Sequence, residues 1–468
     1  MLTYELTKKP GMPLYESLYR CIRTDILTGT LAPGEKLPSK RALAANLEVS
    51  KITVENAYNQ LLEEGYIRSE EKVGYFVEQI RAVPAVSVPA PPEVIADTPM
   101  IDLTANNPVK FPFSVWSRLH REVLLDLGHT LLQPLPNLGL MDLRLAIAHH
   151  LAQFRGMAVR PENILIGAGT DFLYNLLIQL LGRDKNYAVE DPGYGKIRRI
   201  YAAAGAKCVD AAMDRQGVCP WSLHNADVLH ISPSHHFPTG LVTPLSRRQE
   251  LLSWVAERED RWIIEDDYDS EFRFAAHPVP ALQSLDGSRV IYMNTFSKTL
   301  APSIRISYMV LPESLMEKLH RELGFYSCTV PSFEQHTLAR FLDGGHFEKH
   351  INRMRKYYKT RRNRLMAAII HSPIADRLSV LEENAGLHFL VKVDTQLSDE
   401  ALVARCRQAG IRVRSLGSYY DGAVPQWAER CLVVNYSGLS DENMDRLEEK
   451  IGAGMERFGN EPGVLEEK

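Results

Sequence analysis

Residues 291–312 read IYMNTFSKTLAPSIRISYMVLP, and they set one lysine, Lys298, between two apolar runs with the look of buried strands. An ammonium group is unfavourable to bury without a partner. Lys298 therefore needs either a route to water, by snorkelling from a strand end, or a chemical partner. Working outward, short β-like runs alternate with helical stretches: ENILIGAG before TDFLYNLLIQLLG, NYAVEDPGY before a helix ending near Gly205, DVLHISPS, and SRRQELLSWVAERED before RWIIEDDYD. Such alternation predicts an α/β domain with a mainly parallel, doubly wound sheet, its ligands at the carboxyl ends of the strands.

The motifs share that address. Gly167-Ala168-Gly169-Thr170 follows a strand and opens a helix, so its N–H groups and the helix dipole favour a phosphate. It lacks the third glycine of the dinucleotide fingerprint and also reads as a plain tight turn. The run IIEDDYDSEF, residues 263–272, ends an apolar strand in acids and a tyrosine. It reads as a solvated turn, as a metal site without the histidines to complete it, or as an aspartate, Asp266, facing a cationic ring nitrogen. Thr295 and Ser297 flank Lys298, and Arg305 lies seven residues beyond it. A lysine able to form a Schiff base, an aspartate for a pyridinium, and hydroxyls plus an arginine for a phosphate are together what pyridoxal 5′-phosphate requires. No metal site is expected.

The amino-terminal part is separate. Residues 80–99, IRAVPAVSVPAPPEVIADTP, are rich in proline and hold no aromatic residue, which predicts a semi-extended linker. Before it, Leu14, Leu18, Ile22, Ile26 and Leu27 are spaced as one face of a helix. Pro38 and Ser39 start a second helix with Leu43 and Leu47 inward, and Ser50 caps a third bearing Val54, Ala57, Tyr58, Leu61 and Leu62. YIRSEEKVGYFVEQ then alternates like two strands joined near Lys72–Gly74. This order is the plan of a winged helix-turn-helix, in which the third helix enters the major groove by its amino-terminal end. Ser50, Lys51, Ile52 and Thr53 lie at that end, while Ser39, Lys40 and Arg41 start the preceding helix and are candidates for a phosphate. Residues 1–80 hold ten Lys/Arg and eleven Asp/Glu, so net charge does not favour DNA, and a small protein-binding helical domain stays open.

The whole chain of 468 residues carries 54 Lys/Arg against 58 Asp/Glu and is 45% hydrophobic, ordinary for a globular protein of two or three domains. No signal-peptide pattern and no run of about 18 apolar residues is present, which predicts a cytoplasmic protein. The six cysteines are scattered, with no CxxC pair, so neither a disulfide framework nor a zinc site is suggested.

Residues 31–77, with LPSKRALA and VSKITVENAYNQLLEEG, resemble the winged-helix domain of GntR-type regulators. That resemblance implies double-stranded operator DNA as a partner and points to Arg41, Lys51, Thr53 and the wing residue Gly74. Lys51 stands where arginine is frequent, and Lys72 replaces the first glycine of the usual wing tip. From about residue 100 to 460 the chain resembles fold-type I aminotransferases, with a smaller C-terminal α/β subdomain. The pairing resembles the MocR family of transcriptional regulators, on IEDDYDSEF, PSHHFPTG, NTFSKTLAPSIRISYMV and HINRMRKYYKTRRNRL. The resemblance implies domains at 1–79 and 100–460 joined by the linker, and pyridoxal phosphate as cofactor. It makes Lys298 the Schiff-base lysine, Asp266 the partner of the ring nitrogen, Tyr268 that of the ring hydroxyl, and Tyr194 the residue stacked on the ring. Ala168, Gly169, Thr170, Thr295, Ser297 and Arg305 gather round the phosphate. It further implies a homodimer, with a domain-swapped head-to-tail arrangement as one form, and a regulator sensing the cofactor or a small amine or amino acid. The alternative is a working aminotransferase with a DNA-binding appendage. Phe237 stands where aminotransferases carry the asparagine of NPTG, with His235 and His236 as partial substitutes, and Gly438 stands where a carboxylate-binding arginine belongs. Both departures favour the regulator.

Overall fold

Leu18, Ile22, Leu43, Val54, Ala57, Tyr58 and Leu61 are fully buried together, so three short helices and a hairpin close on one small core. In this computed structural model the described residues are 2–4, 6, 13–79, 100–104, 110–272, 279–382 and 386–454. The chain divides into two compact units, Met1–Ala96 and Asp97–Lys468. The stretch expected to be a linker, 80–99, lies outside the described residues.

In the first unit the helices are Leu14–Leu27, Lys40–Asn46 and Lys51–Glu63. Strands Ile67–Glu70 and Gly74–Val77 pair antiparallel, and Lys36–Leu37 adds to the outer side of Gly74–Val77. Ser39 and Ser50 cap the second and third helices, each side chain accepting from the amide three residues on. Gly65, with φ of 76°, ends the third helix as read from sequence. Leu27 differs from expectation: it is 40% exposed. It follows Ile26 directly, and about 100° of helical rotation carries it off the buried stripe.

The second unit is built on an eight-stranded sheet. Its order is Ile164–Gly167, Ser307–Val310, Val290–Thr295, Trp262–Asp266, Val228–Ile231, Asn186–Asp191, Lys207–Asp214 and Gly217–Val218. The run from Val290–Thr295 to Lys207–Asp214 is parallel, whereas Ser307–Val310 is antiparallel to both neighbours. The physical reason is the connection: residues 296–306 hold only a short helix, Phe296–Thr299, and a 3₁₀ turn, too little for a parallel crossover. That tight return places Lys298 at the carboxyl end of a parallel strand. Aliphatic and aromatic side chains cover both sheet faces, in separate clusters around Leu177 and Met293 on one side and Ile166 and Tyr292 on the other.

Toward the carboxyl end, Leu378–Leu381, His388–Val393, Cys431–Asn435 and Arg414–Ser415 form an antiparallel sheet, with helices Asp399–Gln408 and Asp441–Gly454 nearby in sequence. Among the described residues no helix is long and apolar enough to cross a membrane.

Candidate functional site

Three neighbouring strand ends bring the acids and the lysine of the second unit together. Asp266 ends Trp262–Asp266, Thr295 ends Val290–Thr295, and Lys298 stands one turn later. The acidic run is not the solvated turn that composition allowed: Glu265, Asp266, Asp267, Asp269 and Glu271 are all buried, at 0–6% exposure. Each has its own partner. Glu265 meets Arg248 at 3.3 Å and accepts from the amides of Leu282 and Gln283. Asp267 pairs with Arg155 at 3.0 Å and accepts from Tyr292 and Ser270. Asp269 lies 2.9 Å from His235 Nδ1, and Glu271 accepts from Asn294 at 3.4 Å.

Asp266, like Asp267 at Oδ1 and Glu271 at Oε2, has an unpaired buried oxygen, and it has no arginine partner among the described residues. Its Oδ2 accepts from the Tyr174 hydroxyl, and His230 Nε2 approaches the same oxygen at 3.5 Å without completing a hydrogen bond. Tyr201 Oη in turn lies 2.6 Å from His230 Nδ1. The other carboxylate oxygen, Oδ1, is buried and has no partner. A buried, unpaired carboxylate oxygen is unfavourable unless a ligand completes it.

Burial holds the Lys298 amine below the ordinary lysine range, against the opposing pull of Asp269 and Asp266. A lysine so shifted is closer to the neutral, nucleophilic form. Ser297 Oγ is buried and unpartnered, while its amide donates to Thr295 Oγ1 at 3.2 Å. The Thr295 hydroxyl also accepts from Ser307 Oγ at 2.7 Å.

The glycine turn lies against Arg305. A Cβ on Gly169 would stand 2.2 Å from Arg305 Nη2, so only glycine lets the guanidinium rest over this helix start. Thr170 is the first residue of helix Thr170–Leu181. Ala168 fits a phosphate less well than the motif suggested, because its amide already donates to Thr329 Oγ1 at 2.9 Å.

Around the ring position, Tyr194 is 50% exposed, edge-on to Phe237 at a centroid distance of 6.0 Å. The Tyr268 hydroxyl donates to the His235 carbonyl at 2.9 Å. Phe237 packs against His388 and Tyr419, each at 5.2 Å, so an apolar ring fills the place of a donor. Burial pushes His236 down to about 3, leaving it neutral, with Nδ1 2.7 Å from Thr239 Oγ1. Its Nε2, 3.5 Å from Glu190 Oε2, and that of His235 are buried without a hydrogen bond.

The residues present fit pyridoxal phosphate. Asp266 Oδ1 and Ser297 Oγ want partners, Gly169 leaves room under Arg305, and the Lys298 amine is poised toward neutrality. Tyr174, His230, Lys196 and Asp171 belong to the same neighbourhood and were not singled out from sequence. Only Tyr174 carried a usable signal, since it lies one helical turn after Thr170.

In the first unit Arg41 and Lys51 are exposed at the starts of their helices, and Ile52 is 68% exposed beside them. Thr53 Oγ1 lies 2.8 Å from the Ser50 hydroxyl. The Lys40 ammonium is engaged within the unit, 2.9 Å from Glu55 and 5.3 Å from the Tyr75 ring centre. Ser39 Oγ is taken by the Ala42 amide. Lys72 adopts φ of 61° at the wing tip, the left-handed conformation that a glycine would hold without strain, and Gly74 follows with φ of 143°.

Comparison with known proteins agrees with both halves. Residues 14–77 match the model of bacterial regulatory proteins of the gntR family, whose helix-turn-helix implies DNA binding. The chain is 36% identical to the Bacillus subtilis HTH-type transcriptional regulator YdeL over 463 residues, 97% of this chain and 99% of the relative. It is 32% identical to a Rhizobium meliloti protein named probable rhizopine catabolism regulatory protein MocR, covering 94% of this chain and 93% of that one. The fold of the second unit is that of a Pyrococcus horikoshii kynurenine aminotransferase solved with PMP, with a TM-score of 0.66, 22% identity, and coverage of 78% of this chain and 92% of that one. The chain belongs to the MocR-type transcriptional regulators, a gntR-type winged helix-turn-helix joined to an aminotransferase-like fold.

Proposed function

We propose that this regulator takes up pyridoxal 5′-phosphate at Lys298 and that the loaded state, alone or with a small amine or amino acid, alters its grip on operator DNA. The observation that carries the reading is the partly buried Lys298 one turn beyond a strand that pairs with the strand ending in Asp266, whose Oδ1 has no partner. When bound, the cofactor supplies an aldehyde that reacts reversibly with amines. The chain's own residues do the rest. Asp266, held by Tyr174, faces the ring nitrogen. Tyr268 reaches the ring hydroxyl and Tyr194 covers the ring. Gly169, Thr170, Thr295, Ser297 and Arg305 hold the phosphate, with Ala168 shaping the turn.

Phe237 offers no hydrogen bond, and Gly438 offers no guanidinium for a substrate carboxylate. A bidentate arginine clamp is a strong, oriented contact, so its absence disfavours turnover of ordinary amino acids. Exposed Phe113, Leu125, Leu132 and Phe325 on the second unit, each at least 69% accessible, support a homodimer. On the DNA side, Arg41, Lys51, Thr53 and Gly74 carry the contacts, with Ser39, Lys40 and Ser50 fixing the helix starts.

Borohydride reduction of the loaded protein tests the cofactor claim. Peptide mass analysis should find the cofactor mass on the segment bearing Lys298, and Lys298→Ala should lack it. Unmodified wild type would overturn the reading, and sustained keto-acid release would mark a working aminotransferase instead.

A further inference from the structure

At the phosphate end of this site two cations share one carboxylate. Lys196 Nζ lies 2.7 Å from Asp171 Oδ2, and Arg305 Nη2 lies 3.5 Å from the same oxygen. Asp171 is in the first turn of helix Thr170–Leu181, directly after the glycine turn, and Lys196 is in the first turn of helix Gly195–Ala203. The side chains of Lys196, Asp171 and Arg305 are 47%, 37% and 50% exposed, so a solute can reach all three. Arg305 adopts φ of 49°, a left-handed conformation unfavourable for arginine, and its guanidinium lies against Gly169. Lys196 also stands near enough to Lys298 for its charge to help hold that amine down.

An anion of the protein thus sits on cations that the cofactor's phosphate needs. A phosphate at the glycine turn is held by Arg305, and a second ammonium beside it adds a point charge able to follow the ligand. The Asp171 carboxylate opposes this twice: it occupies both cations before binding, and it remains a like charge near the phosphate afterwards.

We propose that Lys196 is a second cation for the phosphate of pyridoxal phosphate, and that Asp171 is an internal competitor which weakens that binding. The inference rests on the cofactor reading above and deepens it. A sensor must exchange its ligand at the concentrations it reports, and a competing carboxylate lowers affinity without removing the cradle. Without the phosphate, Lys196 and Arg305 stay paired with Asp171, and on binding the phosphate takes the place of the Asp171 carboxylate.

The test compares pyridoxal 5′-phosphate with pyridoxal, which has the same aldehyde and no phosphate, in calorimetric titrations of full-length cofactor-stripped protein. Lys196→Gln should weaken pyridoxal phosphate by about three- to tenfold more than it weakens pyridoxal, since any effect through the Lys298 amine is common to both. Lys196→Arg should keep most of the affinity, and Asp171→Asn should tighten pyridoxal phosphate by a similar factor with no effect on pyridoxal. An unchanged ratio of the two affinities in Lys196→Gln, an equal loss for both ligands, or weaker pyridoxal phosphate binding in Asp171→Asn overturns the inference. Wild type that takes up neither compound overturns the cofactor reading itself, and this inference with it.

Discussion

Lys298 and Asp266 come together at neighbouring strand ends, among acids that mostly pair with other residues. Arg248, Arg155 and His235 take Glu265, Asp267 and Asp269, whereas Asp266 has no arginine partner among the described residues and is held by the Tyr174 hydroxyl; its Oδ1, like Asp267 Oδ1 and Glu271 Oε2, is buried without a hydrogen bond. Glu271 is the least settled of the rest. Burial, then Asp267, raises its carboxyl to about 7 from an ordinary 4.5. For an acid so raised, the folded chain holds a proton that the unfolded chain has released, so the contribution is full below about pH 4.5 and is lost as pH rises toward 7. Thermal unfolding from pH 5 to 7 should therefore show Glu271→Gln losing less stability than wild type, the difference being of order 2 kcal/mol. Parallel curves for the two proteins would contradict the assignment. The strand-end positions of Lys298, Asp266, Thr295 and Ser297 were legible in the sequence because each ends a recognisable strand or opens a helix. The partners of Asp266 were not: Tyr174 and His230 come from another helix and another strand, and nothing local marks a contact that only the sheet order creates.

The helices and the wing obey local rules, which is why this part of the chain was the most readable. Periodicity placed Leu18, Ile22, Val54 and Tyr58 in the core, and serine caps placed the helix starts. Periodicity could not show that Lys40 turns inward to Glu55, since that pairing depends on how the second and third helices cross. Ser50 accepts from the Thr53 amide at 3.1 Å, so Ser50→Ala should lower the stability of the winged helix by about 1 kcal/mol, readable in the denaturant midpoint of its transition. Arg41 and Lys51 make no ion pair among the described residues and remain available to phosphates. Arg41→Ala and Lys51→Ala should each weaken operator binding and flatten the plot of log affinity against log salt by about 0.9 per lost phosphate contact. Unchanged slopes in both would remove the third helix from the groove. In the second unit, the alternation of strands and helices gave the sheet, but the antiparallel Ser307–Val310 was decided by the shortness of residues 296–306, a matter of chain length rather than pattern.

The molecule as a whole joins a DNA-reading unit to a fold used elsewhere for amine chemistry. A ligand changes DNA binding only if it favours one state of the protein over another, and the coupling acts equally in both directions. Pyridoxal phosphate should then bind with a different affinity when operator DNA is present, by the same factor it exerts on the DNA. Phe237 is packed among Tyr194, His388 and Tyr419, and under the proposed function it and Gly438 stand where turnover would use a hydrogen-bond donor and a guanidinium. The most direct measurement is the affinity of stripped full-length protein for the DNA upstream of its neighbouring genes, with and without saturating pyridoxal phosphate, in wild type and Lys298→Ala. A shift of about tenfold is expected in wild type, absent in Lys298→Ala, whereas equal affinities with and without the cofactor in wild type would contradict cofactor control of DNA binding.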